Sequence, residues 1–152
     1  MLKTKTLNYI KLEHFPSDVN LNYQSDGASG VDLVASIDHD IIILPFQREL
    51  IPTGIIIELP YSREGQIRSR SGLALKHGVV VLNSPATIDN DYNGEIKVIL
   101  ANLGGVPFTV SRGMRIAQLV IASIDQCYVK VCEKLSHTSV RGAGGFGSTG
   151  FF

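Results

Sequence analysis

The sequence predicts an all-β domain, a sandwich or barrel of short strands, with one short helix and a flexible glycine-rich C-terminal tail. Three observations carry this reading. Short runs rich in Ile and Val recur along the chain. Turn signals separate them at Asp26-Gly27, Asn93-Gly94, Gly104-Gly105 and Arg112-Gly113. An apolar period of about 3.6 residues, the mark of amphipathic helices, is almost absent.

The elements follow in order. Residues 40–44 and 54–59 are β-branched runs cut by Pro45, Pro52 and Pro60. The helix is expected over 71–77, with Gly78 as its C-terminal stop. Residues 79–82, 95–100 and 115–121 read as further strands, and 128–132 alternates cleanly. Asn93-Gly94 is a two-residue hairpin signal. The segment 141–150 is nearly all Gly, Ser and Thr, cannot pack a core, and is expected to be mobile alone. The expected organisation is one β domain over 1–140 followed by a flap segment, 141–152.

The chain has 152 residues and a formal net charge of zero. A compact chain of 16.5 kDa exposes ~7,500 Å², which leaves one real core and not two. Zero net charge argues against a partner made of nucleic acid phosphates and against a polybasic membrane binder. With 44% hydrophobic and 18% charged residues, disorder is excluded as the main state. No apolar run approaches a membrane span, and Met1 to Thr6 lacks the pattern of a signal peptide. Cys127 and Cys132, at an odd separation, are not expected to bridge within one strand. Two free thiols fit a reducing, cytoplasmic setting. The scattered His14, His39, His77 and His137 give no zinc spacing.

Four segments look chemical, and each has a plainer reading beside it. Arg68 and Arg70 share a face if both lie in a strand, and Ser71 and Gly72 open the helical turn. Guanidinium donors and free N–H groups there suit phosphate oxygens, but Ser71 could equally be an ordinary N-cap. Asp89 could act as a base on water, with Tyr92 as a platform for a ring, or Asp89 and Asp91 could be turn residues. Arg115 and Gln118 are an odd number apart, so one regular strand puts only one of them on a given side. Gln118 in an apolar run could simply bond the backbone. The G-x-G-x-x-G of Gly142, Gly144 and Gly147 has no following helix and no P-loop lysine. It is a nucleotide flap or an unstructured tail.

Together and in order, these segments closely resemble the motifs of the trimeric dUTPases, the deoxyuridine triphosphate nucleotidohydrolases. The first is Ala28-Ser29-Gly30-Val31-Asp32-Leu33 and the second Arg70-Ser71-Gly72-Leu73-Ala74. The third runs from Ile88 through Asp89, Asn90, Asp91 and Tyr92 to Asn93-Gly94, and the fourth from Arg112 through Arg115 to Gln118-Leu119. The fifth is the 141–150 segment. The resemblance implies a jelly-roll-like (β-clip) fold, a homotrimer with three active sites shared between subunits, and Mg²⁺-assisted hydrolysis of dUTP to dUMP and pyrophosphate. Such an activity keeps dUTP low and supplies dUMP for thymidylate synthesis.

The resemblance also implies residue roles. Asp89 orients and activates the water that attacks the α-phosphorus, and Tyr92 packs on the deoxyribose and leaves no room for a 2′-hydroxyl. Asn83 and the hairpin backbone over 83–92 read uracil. Ser71, Gly72 and Gln118 hold phosphate oxygens. Arg70 pairs with Asp32, which reaches the metal indirectly, through water. Arg141, Gly147, Ser148 and Thr149 close on the outer phosphates, and Phe146 stacks on uracil. Ala86, Ser69 and Asn93 depart from the common family residues, and Phe151 and Phe152 extend past the last motif.

Two alternatives remain beside it. A dCTP deaminase-like enzyme shares the fold but needs a catalytic Glu where this chain has Ile99, and Asp91-Tyr92 replaces its Gly-aromatic pair. A non-catalytic nucleotide-binding trimeric β module would bind without turnover.

Overall fold

The computed structural model describes residues 6–136, 139, 142–145 and 148. Among the described residues there are eleven strands: β1 (Asn8–Lys11), β2 (Gly30–Val34), β3 (Ile41–Ile43), β4 (Arg48–Pro52), β5 (Ile55–Glu58), β6 (Arg63–Arg68), β7 (Val79–Val81), β8 (Ala86–Ile88), β9 (Lys97–Asn102), β10 (Phe108–Val110) and β11 (Arg115–Ser123). One helix, α1 (Ser71–His77), joins β6 to β7.

The strands make four small antiparallel sheets with orders β1-β5, β3-β10, β2-β11-β6-β8 and β4-β9-β7. The Ile- and Val-rich runs form strands because branched side chains pack well on pleated surfaces. Their inward faces meet in one cluster that includes Leu33, Ile43, Ile51, Ile55, Ile67, Leu100, Val110 and Leu119, all at most 1% exposed. Each fully buried aliphatic of this kind contributes about 1.5–3 kcal/mol of transfer free energy. Asn102, also buried, ties the β3 end to the β9–β10 loop. Its amide donates to Ile43 O at 2.9 Å and Val106 O at 2.8 Å, and its oxygen accepts from Gly104 N at 2.9 Å.

The helix spans the expected residues and stops as expected. Gly78 adopts φ 67°, and its N–H donates back to Ala74 O at 3.0 Å. A Cβ there would also lie 2.6 Å from Gly104 N, so both backbone conformation and space require glycine. The N-cap is Arg70 rather than Ser71, and no side chain caps the helix.

Several expectations fail. Residues 128–132 form no strand, and Tyr128, Val129 and Val131 are almost wholly exposed. Their alternation is strand-like, but among the described residues no strand pairs with them. Asn93-Gly94 does not close a hairpin, because β8 pairs with β6 while β9 pairs with β4 and β7. Within 83–92, β8 pairs with β6 and not with another part of the segment, so no hairpin closes there. Arg68 ends β6 and Arg70 lies beyond it, so the two arginines do not share one strand face. Cys127 and Cys132 are both free and exposed. No helix among the described residues is long and apolar enough to cross a membrane.

Candidate active site

The first group of candidate residues gathers where β2, β11 and the β6–α1 junction meet. Gln118 on β11 pairs directly with Asp32 on β2 and with Arg68 on β6, so these three side chains share a row on one sheet face. The register of β11 against β2 shifts between Arg115 and Ala117, leaving Ile116 as the extra residue of a β-bulge. The bulge cancels the odd spacing and turns Arg115 to the same side as Gln118. Ile116 and Ala117 are consequently both buried although they are adjacent.

Asp32 sits between two guanidinium groups. Arg70 Nε donates to its Oδ1 at 2.9 Å, and Arg115 Nη1 to its Oδ2 at 3.1 Å. Arg70 Nη1 also donates to Arg115 O at 3.0 Å, which locks the two arginines to each other. One carboxylate and two guanidiniums leave a local positive charge, partly buried and aimed along the sheet face. Gln118 Nε2 gives one hydrogen to Ser69 O at 2.9 Å, which leaves its second hydrogen for another acceptor. Gly30 makes room for this amide, since a Cβ there would lie 2.7 Å from Gln118 Oε1.

Immediately after Arg70, Ser71 and Gly72 open α1 on the exposed side. A Cβ on Gly72 would meet no protein atom within 4 Å, so nothing in the described chain itself demands glycine there. Ser69, which departs from the family pattern, accepts Val81 N–H on its Oγ at 2.8 Å and ties this junction to β7.

The second group lies elsewhere. Asp89, just beyond β8, and Tyr92 line a cleft of about 340 Å³ with Leu50, Ile88 and Lys97. Tyr92 N–H closes a turn on Asp89 O at 3.2 Å, and its hydroxyl donates to Glu95 O at 3.0 Å. Asp89 is exposed, as is Asn83 at the far end of the same connection. Ala86 sits in β8 opposite Ile67, its methyl packed against the core. A larger hollow of about 710 Å³, beside Tyr61, Ser62 and Tyr128, touches this region only at Asn90.

The two groups do not converge within one chain. Ile88 pairs with Gly65, three residues along β6 from Arg68, and β8 is two strands from β11. That geometry separates Ile88 from Gln118 by about 14 Å. Of the tail candidates, Arg141, Phe146, Gly147 and Thr149 lie outside the described residues. Ser148 is exposed, and its N–H donates to Gly145 O at 3.0 Å.

The dUTPase family profile matches residues 18–150. The chain belongs to the dUTPase family. It is similar to the deoxyuridine 5′-triphosphate nucleotidohydrolase of Chlamydia trachomatis serovar L2, 59% identical over 129 residues that span 84% of this chain and 88% of that protein. The corresponding protein of Rhizobium leguminosarum bv. trifolii is 54% identical over 147 residues, 95% of this chain and 94% of the relative. Among solved structures, the Staphylococcus bacteriophage 80alpha dUTPase with dUPNHPP superposes with a TM-score of 0.82 at 25% identity, covering 97% of this chain and 99% of that one.

The fold is thus the jelly-roll-like β fold of dUTPases, with the short α1 as its one helix among the described residues. For a dUTPase the unforeseen parts are supports. Glu95 is held by His14 Nε2 at 2.9 Å and by Gly54 N–H at 2.9 Å, with Lys97 Nζ at 3.6 Å. Burial pushes the Glu95 carboxyl up, but these hydrogen bonds and the nearby positive charges outweigh it and hold it below its ordinary value. Neither His14 nor Glu95 carries a sequence signal, because 81 residues separate them. Ile99, where the deaminase-like alternative would need a glutamate, is half-buried in β9.

Proposed function

We propose that this dUTPase binds the triphosphate of dUTP at the Arg70–Asp32–Arg115 cluster and attacks it with a water activated by Asp89 of another subunit. That dUTP is the substrate class follows from family membership. The observation that carries the rest is a preformed cationic cluster at Arg70 and Arg115, with a water-facing carboxylate, Asp89, placed in the same chain just beyond Ile88, which itself lies about 14 Å from Gln118. The phosphates of one nucleotide span far less than that. A second copy, bringing its own 89–92 loop against the first copy's cluster, completes a site that one chain leaves divided. A homotrimer with three shared sites satisfies this requirement with closed symmetry.

In each site Asp89 takes a proton from water as its oxygen bonds to the α-phosphorus. The bond from that phosphorus to the β-phosphate bridging oxygen breaks, and pyrophosphate leaves with the electron pair. Gln118's second amide hydrogen and the Ser71 and Gly72 N–H groups bind phosphate oxygens. Tyr92 covers the deoxyribose and excludes a 2′-hydroxyl, and Asn83 with its neighbouring backbone reads uracil. Arg141, Phe146, Gly147, Ser148 and Thr149 close over the nucleotide and expel water.

Mg²⁺ fits the donors present. Both Asp32 oxygens already accept guanidinium bonds, but each keeps a lone pair to take a metal-bound water. A Mg²⁺ held mainly by phosphate oxygens and water needs no protein cage, and none of three or more acidic, His or Cys groups gathers among the described residues. When bound, the ion neutralises charge on the phosphates as it builds up.

A panel of nucleoside triphosphates with Mg²⁺, scored for pyrophosphate, tests this reading. dUTP alone should be cleaved rapidly. Asp89→Asn should keep dUTP affinity and lose turnover by about 10²–10⁴-fold. Ammonia released from dCTP, or unchanged turnover in Asp89→Asn, overturns it.

A further inference from the structure

We propose that His14 and Glu95 form a clamp that positions the Tyr92 ring for recognition of the substrate's deoxyribose, an inference that rests on the dUTPase reading. Tyr92 is 46% exposed and has no core pocket to fix it. Its orientation comes from its hydroxyl bond to Glu95 O at 3.0 Å and from the absence of a side chain at Gly94, where a Cβ would overlap the end of the ring. The ring is therefore aimed by the position of the Glu95 backbone.

Glu95 is the hinge between the site loop and the sheet. The next residue, Ile96, is already pinned on both sides: its N–H donates to Ile55 O at 2.9 Å, and its O accepts from Thr53 N–H at 3.1 Å and Thr53 Oγ1 at 2.6 Å. Glu95 lacks such a ladder and is held by its side chain instead. Oε1 accepts both Gly54 N–H and His14 Nε2. A carboxylate can only accept, so His14 carries its hydrogen on Nε2.

The His14 end of the clamp is itself fixed. Its carbonyl accepts Ser36 Oγ at 2.6 Å and Arg112 Nη2 at 2.7 Å, and Ser36 is 2% exposed. Arg112 opens the segment that carries Arg115 and Gln118. A chain of bonds thus runs from that segment through His14 and Glu95 to the platform residue of the other half-site. A clamp serving only the core would not need to end on the residue that borders the loop.

His14 and Glu95 are positioning residues, and their effect is on binding and selectivity. His14→Ala should raise KM for dUTP about tenfold with kcat within about twofold. The preference for dUTP over UTP should fall about tenfold, because a loosened ring no longer excludes the 2′-hydroxyl. His14→Gln, whose amide reaches as far as Nε2, should restore most of both. A merely structural tie would lower the active fraction, and so kcat, while leaving KM and the dUTP/UTP ratio unchanged; that result overturns the proposal. Should His14→Ala fail to fold, His14→Asn, which falls short of Glu95, is read in its place, and wild-type KM and selectivity there also overturn it. A wild-type enzyme that does not turn over dUTP overturns the functional reading first, and the clamp with it.

Discussion

Gly30→Ala places a methyl group 2.7 Å from Gln118 Oε1 and 3.3 Å from Val120 Cγ2. The first distance is roughly 0.5 Å or more inside van der Waals contact, so one partner must yield. Gln118 yields, because its amide is the far end of a flexible side chain, while Gly30 and Val120 are fixed in paired strands. Swinging the amide breaks its 2.9 Å bond to Ser69 O. That loss costs about 1 kcal/mol of stability, a fall in Tm of about 2–4 °C. The functional loss is larger. The displaced amide no longer offers its second hydrogen to a phosphate oxygen, a charge-assisted bond worth about 1.5–3 kcal/mol, or about 10- to 150-fold in kcat/KM. Pyrophosphate release under subsaturating dUTP measures it. Gln118→Ala should cost a similar factor, and the double variant little more than either single one, since both remove one contact. Wild-type kcat/KM in Gly30→Ala, or losses that multiply in the double variant, refutes the coupling of these two motifs.

Three further outcomes follow from the same contacts. Asn102→Ala leaves Ile43 O, Val106 O and Gly104 N without their shared partner and should lower unfolding free energy by about 3 kcal/mol or more, read as a shifted denaturant midpoint. Glu95 binds its proton less tightly folded than unfolded, so its contribution is complete above the ordinary carboxylate value and is lost as pH falls through the lowered one. Glu95→Gln should therefore flatten the acid limb of the stability profile, checked by denaturation midpoints against pH. Truncation before Arg141 should leave the β-sheet circular dichroism unchanged and strongly reduce turnover; loss of the folded signal would assign the tail to the structure instead of to closure.

Much of the fold was legible in local chemistry. The β-branched runs and the Gly78 stop are decided by neighbours in sequence, and the structure agrees at β3, β5, β7, β9, β11 and α1. What failed was non-local. The Tyr128-Val129-Lys130-Val131-Cys132 alternation has the form of a strand, but a strand exists only where a partner does. Asn93-Gly94 has turn chemistry, yet its flanking strands join different sheets. The Asp32–Arg70 pair came from the family resemblance, and the structure forms it at 2.9 Å. Arg115 joined them only through a bulge that no residue spacing announces, since the odd separation argued against it. The His14–Glu95 bond, with 81 residues between partners, had no local signature at all.

Mixed oligomers test the divided site most directly. Copies carrying Asp89→Asn and copies carrying Gln118→Ala, each impaired alone, are unfolded together, reassembled in equal amounts and assayed for pyrophosphate from dUTP. If each site takes Asp89 from one subunit and Gln118 from another, random assembly restores both groups in about one quarter of the sites, and activity recovers to about that fraction of wild type. No recovery, with mixed assembly verified by mass, would place both groups in the same chain's site and contradict the account.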